Sequence, residues 1–282
     1  LSFTSTYTAS GAAPYNFLTI VSTLAWGLGY FGMPHILLRF MAIEDEKKLV
    51  VSRRVGSVWV VIAMFLAVMI GVVGNALTAS GTIQSLSGSA SETIVIQIAT
   101  LLSKAGILPA LMAGLILAGI LASTMSTADS QLLAASSSVS QNLLQDTLGL
   151  KLSQKSSMLA ARLTVVLIAI LGVVIAQDPN SSIFGIVSFA WAGFGAAFGP
   201  VVLFSLFWRR TNFQGALAGM LTGGVMVFVW KYLVKPMGGV WGIYELLPAF
   251  ILGCIAIVVV SLATAAPSEE ILKEFDSVKE EK

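Results

Sequence analysis

Two stretches hold residue types whose spacing could do chemistry. The first is Leu121-Ala122-Ser123-Thr124-Met125-Ser126-Thr127-Ala128-Asp129-Ser130-Gln131. Ser123, Ser126, Thr127 and Ser130 recur at intervals of three and four, which puts them on one face of a helix. Hydroxyl and carbonyl oxygens are hard ligands suited to an alkali cation. A site of neutral oxygens with little fixed charge would hold Na⁺ weakly enough to release it. The plain alternative is that each hydroxyl bonds back to a carbonyl of its own helix, as is common in membrane helices. Asp129 is the only acidic residue between Glu92 and Asp146. An ionisable side chain inside a membrane-length segment is costly and is a functional candidate for that reason. Asp129 either draws a cation along an exit path or meets water at the end of its span.

The second stretch is Trp26-Gly27-Leu28-Gly29-Tyr30-Phe31-Gly32-Met33-Pro34-His35, inside a run from Leu1 to Leu38 that has no charge. Three glycines and a proline make a poor continuous helix, because glycine weakens the interior and proline removes a donor and clashes with the preceding turn. At membrane depth such a break is tolerated only where protein or a water-filled cavity satisfies the freed backbone groups. Transporters commonly place their cargo at such breaks. Trp26 and Tyr30 are four apart and share a face. They suit aromatic walls around a small organic solute, with backbone groups freed at Gly27 and Gly29 for its polar ends. Helix packing is the competing role for both rings. His35, the single histidine, fits a locally bonded polar residue better than a proton relay.

These stretches must be positioned by an unusual chain. Of its 282 residues 56% are hydrophobic and 11% charged, against about 25% charged in an average soluble domain. The expected architecture is an all-α polytopic membrane protein. Charges divide it into seven segments long enough to span, at about 20 residues each: 15–40, 55–76, 108–142, 158–176, 183–208, 213–233 and 243–263. Residues 1–265 form a transmembrane domain on this reading, and 266–282 a charged tail. The third segment is long enough to tilt or to run past the bilayer. Residues 91–103 fit a short amphipathic surface helix, and Asp178-Pro179-Asn180 a sharp turn. With no initiator Met and no basic leader, the chain is expected to be a fragment missing an N-terminal part.

Orientation follows from Lys and Arg. Thirteen of the sixteen fall in one set of alternate loops, and only Lys104, Lys231 and Lys235 in the other. This predicts Leu1 outside and Lys282 in the cytoplasm. Gly215, Gly219 and Gly223, and likewise Gly195 and Gly199, form smooth strips for close helix approach. Such strips serve an internal seam or a dimer. The single cysteine, Cys254, leaves no disulfide or thiolate cluster. Gly27-Leu28-Gly29 with Gly32 matches G-x-G-x-x-G, but no strand precedes it. Neither a soluble enzyme nor a nucleic-acid binder is supported, and no cofactor is implied.

Three segments, WGLGYFGMPHILLRFMA, LASTMSTADSQLL, and FAWAGFGAAFGPVVLFSLFWRR with NFQGALAGM, strongly resemble the sodium:solute symporter family, nearest its sodium/proline branch. The likeness covers essentially the whole chain and corresponds to the C-terminal seven of that family's thirteen spans. It implies the C-terminal part of an inverted-repeat, five-plus-five helix fold with a broken helix near 26–34. It further implies Na⁺-coupled inward symport of L-proline in the plasma membrane. Trp26, Tyr30 and Pro34 match positions lining the solute site. Ser126 and Thr127 match hydroxyl ligands of the sodium site, and Ser123 matches a position giving a backbone carbonyl. The remaining ligands belong to a first broken helix absent from this chain. Another small solute, such as a different amino acid or a carboxylate, and a non-transporting sensor module are the alternatives.

Overall fold

The computed structural model of the protein describes residues 5–8, 11–177 and 182–280. The turn expected at Asp178–Asn180 lies outside them. Six helices are long and apolar enough to cross a membrane, and a bent pair would make a seventh span, by length and composition. The protein is a multi-pass membrane protein. Its contacts fall into two compact units, residues 1–38 with 184–282 and residues 39–183.

The first unit opens with an antiparallel hairpin, β1 (Ser5–Thr8) and β2 (Gly11–Pro14), ahead of the first predicted span. Helix α1 (Phe17–Leu24) begins at Asn16, whose side chain accepts from the Thr19 N–H at 2.8 Å. This satisfies one of the orphan donors of a first turn. A short α2 (Trp26–Gly29) tightens into a 3₁₀ turn at Tyr30–Gly32. Met33 is extended (φ −84°, ψ 111°), as expected of a residue before proline, and Pro34 starts α3 (Pro34–Met41). Residues 17–32 and 34–41 meet at a 53° bend. The break foreseen from Gly and Pro is therefore at Met33–Pro34.

Within the second unit α4 (Lys48–Ala79) starts seven residues before the charge-delimited span, because Lys48, Arg53 and Arg54 extend a helix without needing apolar surroundings. A 3₁₀ turn (Gly88–Thr93) leads into α5 (Ile94–Ser103). Ile94 packs where a Cβ on Gly74 of α4 would stand. Next come α6 (Ile107–Ser137), its π-helical continuation to Thr147, and α7 (Gln154–Ala176).

The remaining helices of the first unit are α8 (Ile183–Phe207), α9 (Phe213–Val229), α10 (Leu246–Ala263) and the tail helix α11 (Glu269–Glu280). The glycine strip of α9 is an internal seam. Gly215 abuts Ser261 and Gly219 abuts Ile257, both on α10, while Gly223 abuts the Ala196 carbonyl of α8. That carbonyl lies four residues before Pro200, which has no N–H to give it. Gly223 and Gly253 leave space around the oxygen instead of a methyl group. Asn212 closes the α8–α9 turn. Its side chain accepts from Gly215 N at 2.8 Å and donates to Thr264 Oγ1 at 2.7 Å and Ala265 O at 2.6 Å. Arg209 pairs bidentately with Asp276, fastening α11 to the same end. The buried core of this unit centres on Ala25, Ala192, Ala196, Val227, Leu246, Ala249 and Phe250, with Cys254 packed beside it.

Candidate functional site

The broken stretch is held by α8 through very close backbone approach. Gly29 is buried, and a Cβ there would enter the Trp191 indole; a Cβ on Gly195 would meet the Cα of Gly29. The glycine at 29 is thus required for packing. Gly32 is hemmed in by main chain, with the Phe194 carbonyl, Gly195 Cα and Gly199 N around its vacant side. Gly27 differs from both: nothing lies within 4 Å of its Cβ position, and it is exposed.

Trp26 stands at the centre of an aromatic cluster. Its ring stacks with Phe184 (5.4 Å, 25°), Trp191 (5.8 Å, 26°) and Tyr244 (5.9 Å, 16°). Tyr30 meets Trp191 edge-on at 4.8 Å. A single side chain, Trp191, therefore touches both residues of the predicted face. It also donates its Nε1–H to the Trp26 carbonyl at 3.0 Å, tying α8 to the start of the broken stretch. Trp26 is half-buried, whereas Tyr30 is 56% exposed and Pro34 is exposed at the head of α3. Tyr30, Gly27 and Pro34 are the members of the predicted set that present free surface.

Trp191→Phe keeps a ring against Trp26 but removes the donor. The net loss of one such hydrogen bond is about 0.5–1.5 kcal/mol. The expected result is a lowered thermal midpoint of the purified protein, with stability restored by no other aromatic substitution that lacks an N–H. A midpoint equal to wild type would show that the hydrogen bond contributes nothing.

In the other unit, the hydroxyl face of α6 has the back-bonded geometry of the plain alternative. Thr124 Oγ1 donates to Ile120 O (2.9 Å) and Ser130 Oγ to Ser126 O (3.1 Å). Ser126 Oγ and Thr127 Oγ1 converge on one acceptor, the Ser123 carbonyl, each at 3.2 Å. With the hydroxyl protons turned toward the helix, their oxygen lone pairs are left outward. Ser123, Ser126, Thr127 and Asp129 are all exposed. Both hydroxyl protons are thus satisfied by one backbone acceptor, on an exposed face of α6. Among the described residues no group of three or more His, Cys, Asp or Glu could hold a metal.

The model of the sodium:solute symporter family matches residues 3–223. The chain belongs to that family. It is similar to the sodium/proline symporter of Haemophilus influenzae, 42% identical over 263 residues, covering 93% of this chain and 51% of the relative. The Escherichia coli sodium/proline symporter is 42% identical, over 92% of this chain and 50% of its own. The osmoregulated proline transporter OpuE of Bacillus subtilis is 40% identical, over 92% and 50%. The chain spans about half the length of these curated relatives. No solved structure matches it.

For a member of the symporter family, the sequence reading omitted three rings that complete the aromatic cluster. Phe184 and Trp191 come from α8 and Tyr244 from the α9–α10 connection. Trp191 carried a usable signal, since it lies in the stretch FAWAGFG among small residues that let a backbone approach it. Tyr244 carried one too: the next residue, Glu245, is the only acidic residue between Asp178 and Glu269.

Proposed function

We propose that the protein moves Na⁺ and L-proline together into the cell as a secondary active symporter, with no enzymatic step and no cofactor beyond the coupling ion. The observation that carries this reading is the 42% identity over 263 residues with sodium/proline symporters. The geometry is consistent with it on both sides of the coupling.

The Ser126 and Thr127 hydroxyls and the Ser123 carbonyl would be neutral oxygen ligands for Na⁺. Their arrangement supports this role: the protons are tied to the helix and the lone pairs face open space. Asp129, two residues beyond Thr127 and exposed, would attract the ion along its exit. In the whole transporter, ligands from spans outside this chain would complete the shell. Proline is compact, apolar on its ring and charged at both ends. Trp26 and Tyr30 offer faces for the ring. Gly27 and the break at Met33–Pro34 offer backbone groups, and Gly29 lets the broken stretch seat against α8. Ion binding that favours the solute-competent state raises solute affinity by the same factor that solute raises ion affinity. The Lys and Arg bias supports a plasma-membrane orientation with Leu1 outside and Lys282 in the cytoplasm.

The test is competition. Cells producing the full-length protein should lose Na⁺-dependent uptake of radiolabelled L-proline when unlabelled proline is added in excess, and retain it with other amino acids or carboxylates. If another solute competes and proline does not, the solute assignment is wrong.

A further inference from the structure

The connection between α9 and α10 is irregular yet tightly held. It runs through a π turn at Trp230–Val234 and 3₁₀ turns at Lys235–Met237 and Gly239–Gly242, reversing at Gly238 and Gly239 with positive φ. At its end stands Tyr244, 7% exposed. Three contacts fix that one residue. Its backbone N–H donates to Ser22 Oγ of α1 at 3.0 Å, its phenol O–H donates to the Ser188 carbonyl of α8 at 2.5 Å, and its ring stacks on Trp26. The next residue, Glu245, is 2% exposed and pairs with Lys235 Nζ at 2.7 Å, across the connection. A buried carboxylate persists only where it is paired and hydrogen-bonded, and removing one member of such a pair leaves an uncompensated charge. The pair therefore closes the connection into a loop whose last residues are held down on the broken stretch.

We propose that this connection is an affinity-setting strap: Tyr244 is a wall of the solute cage around Trp26, and the Lys235–Glu245 pair is the latch that keeps it there. The proposal rests on the reading of Trp26 as a solute-site residue. It adds a positioning device from a part of the chain that lies beyond the stretch matched by the family model. The chemistry fits a small solute with a compact apolar ring. Three aromatic rings stack on Trp26, so they select by shape and by contact with C–H groups. Because the Tyr244 ring already covers part of Trp26, solute must share or displace that contact. The stiffness of the latch then sets how strongly the cage resists opening.

Two readouts separate the strap from the solute assignment. In a Cys254→Ala background, Ser22→Cys lies directly beneath the Tyr244 backbone. Its labelling by a membrane-impermeant maleimide should be slow, and Lys235→Met should accelerate it at least tenfold by freeing the connection. An unchanged labelling rate in folded Lys235→Met protein overturns the latch. In uptake assays on the full-length protein, Tyr244→Ala should raise the KM for L-proline about tenfold or more, with maximal rate and Na⁺ dependence close to wild type. Tyr244→Phe, which keeps the ring and loses only the bond to Ser188, should restore KM to within about threefold. A wild-type KM in Tyr244→Ala overturns the wall. Absence of proline uptake by the wild-type protein overturns the solute assignment instead, and the labelling rates still decide the strap.

Discussion

Thr127→Ala should raise the Na⁺ concentration needed for half-maximal uptake on the order of tenfold to a hundredfold. A hydroxyl in contact with a charged group contributes about 1.5–3 kcal/mol, and about 1.4 kcal/mol is a factor of ten in affinity. The side chain is exposed and bonds back to Ser123 O of its own helix, so its loss should change stability by no more than about 0.5 kcal/mol. Ser126→Ala should behave alike, and Thr127→Ser should keep most of the wild-type Na⁺ dependence because it keeps the oxygen. Thr124→Ala is the internal control. Thr124 Oγ1 bonds to Ile120 O, outside the convergent set, and its removal should leave Na⁺ dependence unchanged. Flux measured against Na⁺ concentration decides the matter; a Thr127→Ala curve superimposing on wild type would remove Thr127 from the ion site.

The second large effect is structural. Gly32→Val should prevent the broken stretch from seating against α8, because the new Cβ would meet the Phe194 carbonyl, Gly195 Cα and Gly199 N. These are backbone atoms on a packed helix and cannot swing aside as a side-chain tip would. Overpacking typically costs about 1–3 kcal/mol, and a clash with main chain belongs at or above the top of that range. The expected outcome is poor recovery of folded protein and a strongly lowered thermal midpoint in detergent. Gly27→Ala provides the contrast: nothing lies within 4 Å of its Cβ position, so it should fold as wild type. A Gly32→Val protein as stable as Gly27→Ala would contradict the close approach of the broken stretch to α8.

The course of the chain was legible because membrane spans are written in composition. Backbone groups in hydrocarbon must be satisfied within a helix, so long uncharged runs can hardly be anything else, and each of the seven predicted segments has its helix or bent helix pair. The ends were less legible. Charged residues such as Lys48 and Arg53 extend α4 beyond the apolar run, and the hairpin Ser5–Pro14 carries no strong strand pattern. The bend was legible in Gly32-Met33-Pro34, since proline constrains both itself and the residue before it. The neighbours of Trp26 were not. Spacing along one helix reports what shares a face, and Trp26 and Tyr30 do share one. It does not report which ring from α8 or from a loop more than two hundred residues later will cover that face. The same limit applies to the glycines. Gly27, Gly29 and Gly32 look alike in the sequence, yet the first is open and the other two are filled by Trp191 and by the backbone of α8. The hydroxyl stretch gave its residues and their common face at once, while the convergence of two hydroxyls on the Ser123 carbonyl emerged only from geometry.

The most direct test of Na⁺-coupled proline symport is accumulation in proteoliposomes carrying the full-length protein. With an inward Na⁺ gradient, radiolabelled L-proline should rise inside well above its external concentration and fall back when the gradient is collapsed. With K⁺ replacing Na⁺ it should only equilibrate slowly. Equal uptake under both gradients, or none under either, would contradict the account.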